Sequence, residues 1–393
     1  MVERKMIYLC LAHMSEEGVE QKYVKEAFDT NWVVPMGPNV NAFEQDLARM
    51  ANSKTDGSEL LDRKVVCLSA GTAAVHLALI ACGVKAGDEV LVQSFTFCAS
   101  SHPITYLGAK PVFVGSERDT WNMDPELLEK AILDRKDKTG KYPKAIVPVA
   151  LYGMPYDCEK IMAIANKYGI PVVEDAAEGM GSRFDGQVLG TFGRFGVLSF
   201  NGNKMITTSG GGALICRNAE DANEVMWYAT QARDAYPYYE HTAIGYNYRM
   251  SNVVAGIGRG QLLHLEEHRA LKESIYNRYV EGFKDLPITM NPFLADSKPN
   301  FWLSCFTVNE GCSVDPFRVM EVLEEHNIEA RPIWKPMHMQ PIYATNQFVT
   351  ADGSYDHVVG EDIFSRGLCL PSDNKMTPDE QDIVIEIVKR CFN

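Results

Sequence analysis

The sequence predicts an α/β fold with a mainly parallel sheet, followed by a smaller α+β domain. Between residues 65 and 217, short apolar segments alternate with stretches of helical spacing. Several of these segments are almost wholly apolar, which is typical of strands covered on both faces. Strands that alternate with crossover helices favour a parallel sheet. After residue 252 the alternation stops, which indicates a different architecture for the rest of the chain.

The apolar segments give the predicted strands in order. They are VVCLSAG (65–71), DEVLVQSF (88–95), KPVFVG (110–115), KAIVPVALYG (144–153), IPVVEDAA (170–177), FGVLSFN (195–201) and GGALICR (211–217). Helical spacing predicts helices over 72–82, 125–134 and 157–168. Only a short turn separates the last two strands, so we expect that pair to be antiparallel.

The C-terminal third predicts a linker and a small domain. Residues 260–283 are rich in Glu, His, Arg, Leu and Tyr at helical spacing, which predicts one long helix leaving the sheet. Further elements are predicted at 301–308, 315–326, 327–336 and 377–391. We therefore predict a large α/β domain over residues 1–260, and a linker helix with a small α+β domain over residues 261–393.

Composition excludes several classes of protein. The 393 residues include 38 basic and 52 acidic side chains, and the net charge of -14 disfavours nucleic acid as a partner. No apolar run approaches the roughly 20 residues of a membrane span, and the N-terminal stretch lacks the pattern of a signal peptide. The ten cysteines contain no C-x-x-C pair and are predicted to be reduced thiols. We expect a cytoplasmic protein without a membrane partner.

In open α/β sheets, ligands bind beyond the carboxyl ends of the strands, and three predicted strand ends carry suitable groups. At the first, a strand runs into Ser69, Gly71 and Thr72. Backbone N–H groups and a threonine hydroxyl at a helix N-terminus can bind a phosphate. The same residues are also common as an ordinary helix cap.

The second strand end carries Glu174, Asp175 and Glu178 after an apolar strand. Burial of a carboxylate is unfavourable unless the group is paired, so a cationic or donating partner is expected. For these residues alone, an ion pair with a neighbouring loop is an equally good interpretation.

The third strand end leads from Ser199 to Lys204, among small, polar and glycine residues. A lysine in such a cleft can attack carbonyls as the neutral amine. A solvated surface lysine is the simpler interpretation for this residue alone. Together, the three ends provide an amine, a carboxylate and a phosphate cradle, which is the set that pyridoxal phosphate requires.

Six segments then resemble one known family. They are NWVVPMGPNVNAFE (31–44), SAGTAAVHLAL (69–79), QSFTFCAS (93–100), EDAAEGMGS (174–182), GTFGRFGVLSFNGNK (190–204) and GYNYRMSNVVAGIG (245–258). The chain resembles the DegT/DnrJ/EryC1/StrS sugar aminotransferases, which are fold-type-I, aspartate aminotransferase-like enzymes. The segment NGNKMITTSGGG is most similar to the bacillosamine-type and exopolysaccharide-pathway members. Gly211 replaces an acid that many relatives carry.

The resemblance implies roles for individual residues. Lys204 would form the Schiff base with pyridoxal phosphate and shuttle protons. Asp175 would pair with the pyridinium nitrogen. The resemblance further implies that Phe97 stacks on the ring, that Glu178 lies near its 3′-oxygen, and that Gly71, Thr72, Ala73 and Ser199 hold the phosphate. Asn247 would reach the phosphate of a neighbouring subunit, which implies a homodimer with shared active sites.

The same resemblance implies the reaction. An amino group would move from L-glutamate to a nucleotide-linked 4-keto-6-deoxyhexose, with UDP-2-acetamido-4-keto-2,6-dideoxyglucose as the expected acceptor. Segments similar to the family's sugar-nucleotide contacts contain Arg249, Arg331, Lys335 and His338.

Two alternative functions stay open. In a pyridoxal phosphate-dependent sugar dehydratase of this family the lysine is replaced by histidine, so Lys204 disfavours that activity. A catalytically idle cofactor-binding regulator is disfavoured by the intact Lys204, Asp175 and Ser199. His264 and His268 are four residues apart on a predicted helix, but no third ligand is evident, and no metal site is predicted.

Overall fold

The computed structural model describes residues 5–54, 61–350 and 358–392. The helices are α1 Val19–Asp29, α2 Pro38–Ala51, α3 Gly71–Ala81, α4 His102–Tyr106, α5 Pro125–Thr139, α6 Cys158–Tyr168, α7 Ala219–Ala229, α8 Asn252–Leu262, α9 Leu265–Phe283, α10 Pro316–Glu325, α11 Val359–Arg366 and α12 Pro378–Cys391.

The strands are β1 Lys64–Leu68, β2 Glu89–Gln93, β3 Lys110–Val114, β4 Ala145–Val147, β5 Val173–Asp175, β6 Arg183–Phe184, β7 Gln187–Val188, β8 Phe195–Ser199, β9 Gly212–Cys216, β10 Ile288–Met290, β11 Ser297–Lys298, β12 Cys305–Val308, β13 Arg331–Pro332, β14 Phe348–Val349 and β15 Gly367–Cys369.

The large sheet is mixed and mainly parallel, as predicted. Its two halves have the strand orders β1-β9-β8-β5 and β14-β3-β2-β4, and parallel bridges between β4 and β5 join them. Strand β9 is antiparallel to both of its neighbours, β1 and β8, whereas the other pairs are parallel. The expected antiparallel pair is therefore confirmed. Strands β1, β2, β4, β5 and β8 consequently end at the same edge.

Both faces of this sheet are buried, as its apolar segments predict. In β1, Val65 and Cys67 pack into one hydrophobic cluster with α2, α5 and α6, while Val66 and Leu68 pack into another with α3. The alternation follows the two-residue period of a strand. The helices thus cover the sheet on two sides and leave its carboxyl edge for other residues.

A second, antiparallel sheet with the order β10-β12-β15-β13 forms the C-terminal part. It packs with α9, α10 and α12 around a separate apolar cluster. The helix α10 is capped by Asp315, and α12 begins with a capping box between Thr377 and Glu380. The C-terminal segment also returns to the large sheet, because β14 pairs with β3. The division after residue 260 stays a prediction.

The long helix predicted over 260–283 is wrong at its start. Helix α8 ends at Leu262 and α9 begins at Leu265, because His264 has a non-helical backbone. Gly258 and Gly260 belong to α8, where a Cβ atom would lie 2.5 Å from Phe43 and 2.8 Å from Glu20. Glycines therefore let α8 pack closely on α1 and α2. Among the described residues, no helix is both long and apolar enough to cross a bilayer.

Candidate active site

A cavity of about 360 Å³ lies at the carboxyl edge of the large sheet. Its walls come from the ends of β1, β2, β5 and β8 and from Trp302 and Trp334 of the C-terminal part. Seven of the residues to which the resemblance assigns a role line it: Gly71, Thr72, Phe97, Asp175, Glu178, Ser199 and Lys204. The topology thus brings together groups that are more than 100 residues apart in the chain.

The N-terminus of α3 opens into this cavity. Its N-cap residue is Ala70, and no side chain caps the first backbone N–H groups. The helix-cap interpretation of this segment therefore does not hold for Ser69. A Cβ atom on Gly71 would lie 3.1 Å from the Cβ of Ser199, so glycine allows β8 to approach the helix end. Uncapped N–H groups beside two hydroxyls, those of Thr72 and Ser199, suit a phosphate.

Asp175 ends β5 and is 5% exposed. The Ser100 hydroxyl donates to its Oδ2 at 2.6 Å, and the Ala177 amide donates to its Oδ1 at 3.1 Å. Burial raises the pKa of Asp175, while these two donors and the charge of Lys204 act in the opposite direction. A buried carboxylate fixed on both oxygens is oriented to pair with a protonated ring nitrogen.

The amine of Lys204 lies between a carboxylate and an aromatic ring. Its Nζ is 3.5 Å from Oε1 of Glu178 and 4.0 Å from the centre of the Trp302 ring. The Trp302 indole N–H donates to the carbonyl of Asn203 at 2.6 Å, which fixes the ring beside the lysine. The solvated-lysine interpretation therefore does not hold, since only 13% of this side chain is exposed.

Aromatic side chains form the outer wall of the cavity. Phe97 is 53% exposed and tilts against Trp334 with a ring separation of 5.9 Å. Trp334 and Trp302 both lie against Tyr152, which is fully buried. Phe97 therefore presents a largely exposed ring to the cavity, and its stacking on the cofactor ring stays a prediction.

The residues present fit pyridoxal phosphate. An uncapped helix end suits the phosphate, the fixed carboxylate of Asp175 suits the ring nitrogen, and the Lys204 amine suits the aldehyde carbon. These three groups line one cavity, so a single ligand can contact all of them.

The lining of this first cavity does not include Ala73, Asn247 or Arg249. Ala73 is buried within α3, one residue beyond Thr72. Asn247 is exposed and forms a bridge with Thr230. Arg249 pairs with Glu44 and donates to the carbonyl of Cys67 at 3.0 Å, with 8% of its side chain exposed. The guanidinium of Arg249 therefore already forms a buried ion pair within its own chain.

The remaining candidate substrate residues lie near β13. Arg331 pairs with Glu329 at 2.7 Å and is exposed. The ring of His338 shares hydrogen bonds with Ser94 at 2.6 Å and Glu361 at 2.7 Å, and it stacks on Phe348. Lys335 is exposed and lines a second, open cavity of about 450 Å³. This second cavity shares Thr96, Phe97 and Trp334 with the first.

Several site residues were missed by the sequence analysis. Ser100 lies in the quoted segment 93–100, but its contact with Asp175 joins two strand ends across the sheet. Trp302 lies in the segment 301–308, where the strand begins only at Cys305. Tyr152 and Trp334 carry no local signal, because their positions depend on how the small domain packs.

The paired histidines have other partners. His264 forms a hydrogen bond with Glu267, and His268 forms one with the carbonyl of Met205. Within residues 5–54, 61–350 and 358–392, no group of three or more His, Cys, Asp or Glu side chains is arranged to hold a metal ion.

Comparison with known proteins identifies the family. The model of the DegT/DnrJ/EryC1/StrS aminotransferase family matches residues 14–389. The putative pyridoxal phosphate-dependent aminotransferase EpsN of Bacillus subtilis (strain 168) is 44% identical over 99% of this chain and 96% of its own. The GDP-perosamine synthase of Caulobacter vibrioides is 34% identical over 94% of each chain.

A solved structure gives the same result. The crystal structure of a DegT DnrJ EryC1 StrS aminotransferase from Brucella abortus has a TM-score of 0.86 and 27% identity over 96% of each chain. This likeness confirms the predicted fold type I. The chain belongs to the DegT/DnrJ/EryC1/StrS aminotransferase family, and its cofactor is pyridoxal phosphate.

Proposed function

We propose that the protein transfers an amino group from L-glutamate to a nucleotide-linked 4-keto-6-deoxyhexose, with UDP-2-acetamido-4-keto-2,6-dideoxyglucose as the acceptor. The observation that carries this proposal is the joint placement of Lys204 and the buried Asp175 in one cavity that continues into a second, open one. A relative named GDP-perosamine synthase supports an acceptor linked to a nucleotide.

The second cavity offers room for the acceptor. Most of its lining is apolar, from Trp334, Met337, Pro341 and Ile342, which suits a sugar or base face. Lys335 lies on the same lining and supplies a cation for the diphosphate. Arg249, Arg331 and His338 are engaged by acidic neighbours, so Lys335 is the strongest of the four candidates.

Each site residue has a defined task in this reaction. When bound, pyridoxal phosphate supplies an electron sink and carries the amino group between donor and acceptor. Lys204 moves a proton to and from the reacting carbon, and Asp175 holds a proton at the pyridine nitrogen. Thr72 and Ser199 bind the phosphate, while Trp302 and Trp334 exclude water.

The two alternatives are disfavoured by the same residues. A dehydratase of this family lacks the lysine, whereas Lys204 is present and faces the cavity. An idle binder does not need a carboxylate oriented by two donors, as Asp175 is.

We further propose a homodimer with shared active sites. Asn247 is exposed and does not line the cavity of its own chain. Large apolar side chains are exposed nearby, with Tyr238, Tyr239 and Ile244 each more than 60% exposed. A second copy would cover these side chains and bring Asn247 to the neighbouring cofactor phosphate.

We also propose a cytoplasmic location. All ten cysteines are free thiols, including Cys305 and Cys369, whose sulfur atoms are only 3.4 Å apart. Free thiols this close are typical of a reducing compartment.

The test is mass spectrometry of the products formed by the loaded protein with L-glutamate and a panel of UDP-, dTDP- and GDP-linked keto-sugars. The expected result is one amino sugar, from the UDP-linked acceptor. An amino sugar formed only from another nucleotide would overturn the acceptor. Elimination of water without amino transfer would favour the dehydratase.

A further inference from the structure

Glu178 is a second buried carboxylate in the cavity, and its two oxygens have different partners. The residue follows Asp175 by three positions and is 4% exposed. Its Oε2 accepts the backbone N–H of Tyr152 at 2.7 Å, and its Oε1 lies 3.5 Å from Nζ of Lys204. One oxygen is therefore fixed by the backbone, while the other faces the amine.

The turn that fixes Glu178 is strained. Tyr152 lies in the 3-10 turn Leu151–Gly153 with φ 55° and ψ 18°, the left-handed region that aromatic residues rarely adopt. In this conformation its N–H points to Glu178. Strain of this kind persists only where the surroundings over-determine it, and here the Tyr152 hydroxyl also accepts the N–H of Trp334 at 2.8 Å.

The backbone of Glu178 is held from the same side. Gly153 has φ 90°, and a Cβ atom there would lie 1.8 Å from Oδ1 of Asn300. The Asn300 side chain in turn donates to the carbonyl of Glu178 at 2.8 Å. Both the main chain and the carboxyl of Glu178 are thus positioned by residues 152–153 and 300.

The two carboxylates of the cavity differ in their hydrogen bonds. Asp175 accepts one donor on each oxygen, from Ser100 and Ala177, which favours its anionic form. Among the described residues, the carboxyl of Glu178 accepts one backbone donor, from Tyr152, and otherwise contacts only the amine of Lys204. Of the two, Glu178 is the group that can take up a proton without losing a fixed donor.

The surroundings of Glu178 shift its pKa in both directions. Burial raises its pKa, Lys204 lowers it, and the negative charge of Asp175 raises it further. Among the described residues, the phenol of Tyr152 and the thiol of Cys305 also interact electrostatically with Glu178. Two carboxyls and one amine share a buried space, so the charge of each group acts on the others.

We propose that Glu178 is a positioning residue for Lys204 and controls the protonation of its amine. The carboxylate anchors the ammonium form against the Trp302 ring. A proton then moves from Nζ to Oε1, so an N–H bond breaks, an O–H bond forms, and the pair becomes a neutral amine and a neutral acid. The neutral amine is the form that attacks a carbonyl. This inference rests on the proposed function in one respect only, namely that the neutral amine of Lys204 attacks a carbonyl during amino transfer.

The test compares Glu178→Gln with the wild-type full-length protein after removal of the cofactor. Brief acetylation at a series of pH values, followed by peptide mass spectrometry, reports how reactive Lys204 is at each pH. Glutamine preserves size and removes the negative charge. The expected result is that half-maximal acetylation of Lys204 moves about one pH unit lower, because an opposite charge within about 4 to 6 Å favours the ammonium form.

Glu174→Gln is the matched control. Glu174 is also buried, but its oxygens accept the amides of Gly190 and Gly193 and do not face Lys204. The acetylation profile of this variant should equal that of the wild type. If Glu178→Gln leaves the profile unchanged, or if Glu174→Gln shifts it as much, the proposal is wrong.

A second variant covers the case in which Glu178→Gln does not fold. Glu178→Asp keeps the charge but withdraws it by one methylene, and it should shift the profile in the same direction by a smaller amount. If the glutamine variant does not fold and the acetylation profile of Glu178→Asp equals that of the wild type, the proposal is also wrong. Acetylation needs neither cofactor nor sugar, so failure of the proposed function would leave these outcomes unchanged.

Discussion

At the residue scale, the site depends on how Asp175 is held. A carboxylate that ends a buried strand is easily predicted from sequence, because it interrupts an apolar run. The donor that orients this carboxylate cannot be predicted from the sequence. It is Ser100, which comes from the loop after β2, and β2 lies two strands away from β5 in the sheet. Ser100 therefore provides the most specific test of the site at this scale.

Ser100→Ala is expected to slow turnover by about 10- to 100-fold, because a hydrogen bond to a charged group contributes about 1.5–3 kcal/mol. Loss of a donor to the charged form raises the pKa of Asp175 further, so the acidic limb of the pH–rate profile should move to higher pH. Steady-state kinetics over a pH series measures both effects.

The neighbouring Ser101→Ala serves as the control for this prediction. Ser101 is equally buried, but its hydroxyl donates to the carbonyl of Cys98. The role of Ser100 would be refuted if both variants were slowed equally.

At the element scale, close approach between β9 and the start of α3 shapes the proposed phosphate site. A Cβ atom on Gly212 would lie 2.4 Å from the Gly71 nitrogen and 2.5 Å from the Ala70 carbonyl carbon. The strand and helix could be predicted from apolar patterning, and their bounds agree with the expected ones to within one residue. The close approach of their backbones could not be predicted from the sequence. It depends on the position of β9, which lies antiparallel between β1 and β8.

Gly212→Ala should weaken cofactor binding by about 5- to 100-fold, because overpacking costs about 1–3 kcal/mol and displaces the helix end. Titration of the cofactor-free protein with pyridoxal phosphate, followed by visible absorbance, measures the Kd. Gly202→Ala is the control, since a Cβ atom at that position would have no described atom within 4 Å apart from its chain neighbours. Equal affinity of Gly212→Ala and the wild type would contradict this account.

The break between α8 and α9 could not be predicted from the periodicity of the sequence. Helical spacing continues through residues 260–283, so periodicity alone predicts one helix. The interruption at His264 lets α8 pack on α1 and α2 while α9 packs against the small sheet. Tertiary packing, which the local sequence does not encode, determines that boundary.

At the scale of the whole molecule, the proposed dimer can be tested through its exposed apolar surface. Ile244 is 83% exposed, and Ile244→Glu should weaken association by placing a charge in the covered surface. Sedimentation should give about twice the 43.9 kDa chain mass for the wild type and a lower mass for the variant.

Leu133→Glu is the matched control for association, because Leu133 is 50% exposed on α5 and is far in sequence from Tyr238, Tyr239 and Ile244. It should leave the mass unchanged. A monomeric wild type would rule out the shared active site.

Stability should fall in mild acid partly through His76. Burial lowers the pKa of His76 below 6.5, so the unfolded chain binds its proton at a higher pH than the folded chain. The contribution of neutral His76 is therefore present above pH 6.5 and lost as the pH falls. Urea unfolding between about pH 7 and pH 5 should show a smaller loss of stability for His76→Gln than for the wild type.

His326→Gln is the control for this prediction, because His326 is exposed. It should lose stability with falling pH as the wild type does. An identical pH dependence in His76→Gln would show that His76 does not contribute.

The most direct test of the central claim is a single turnover of the loaded protein with L-glutamate alone. One equivalent of 2-oxoglutarate should appear as the cofactor becomes pyridoxamine phosphate, whereas Lys204→Ala should fold but give neither product. Lys284→Ala, at an exposed lysine, should react as the wild type. Conversion by Lys204→Ala at a rate close to that of the wild type, or no conversion by the wild type, would contradict the account.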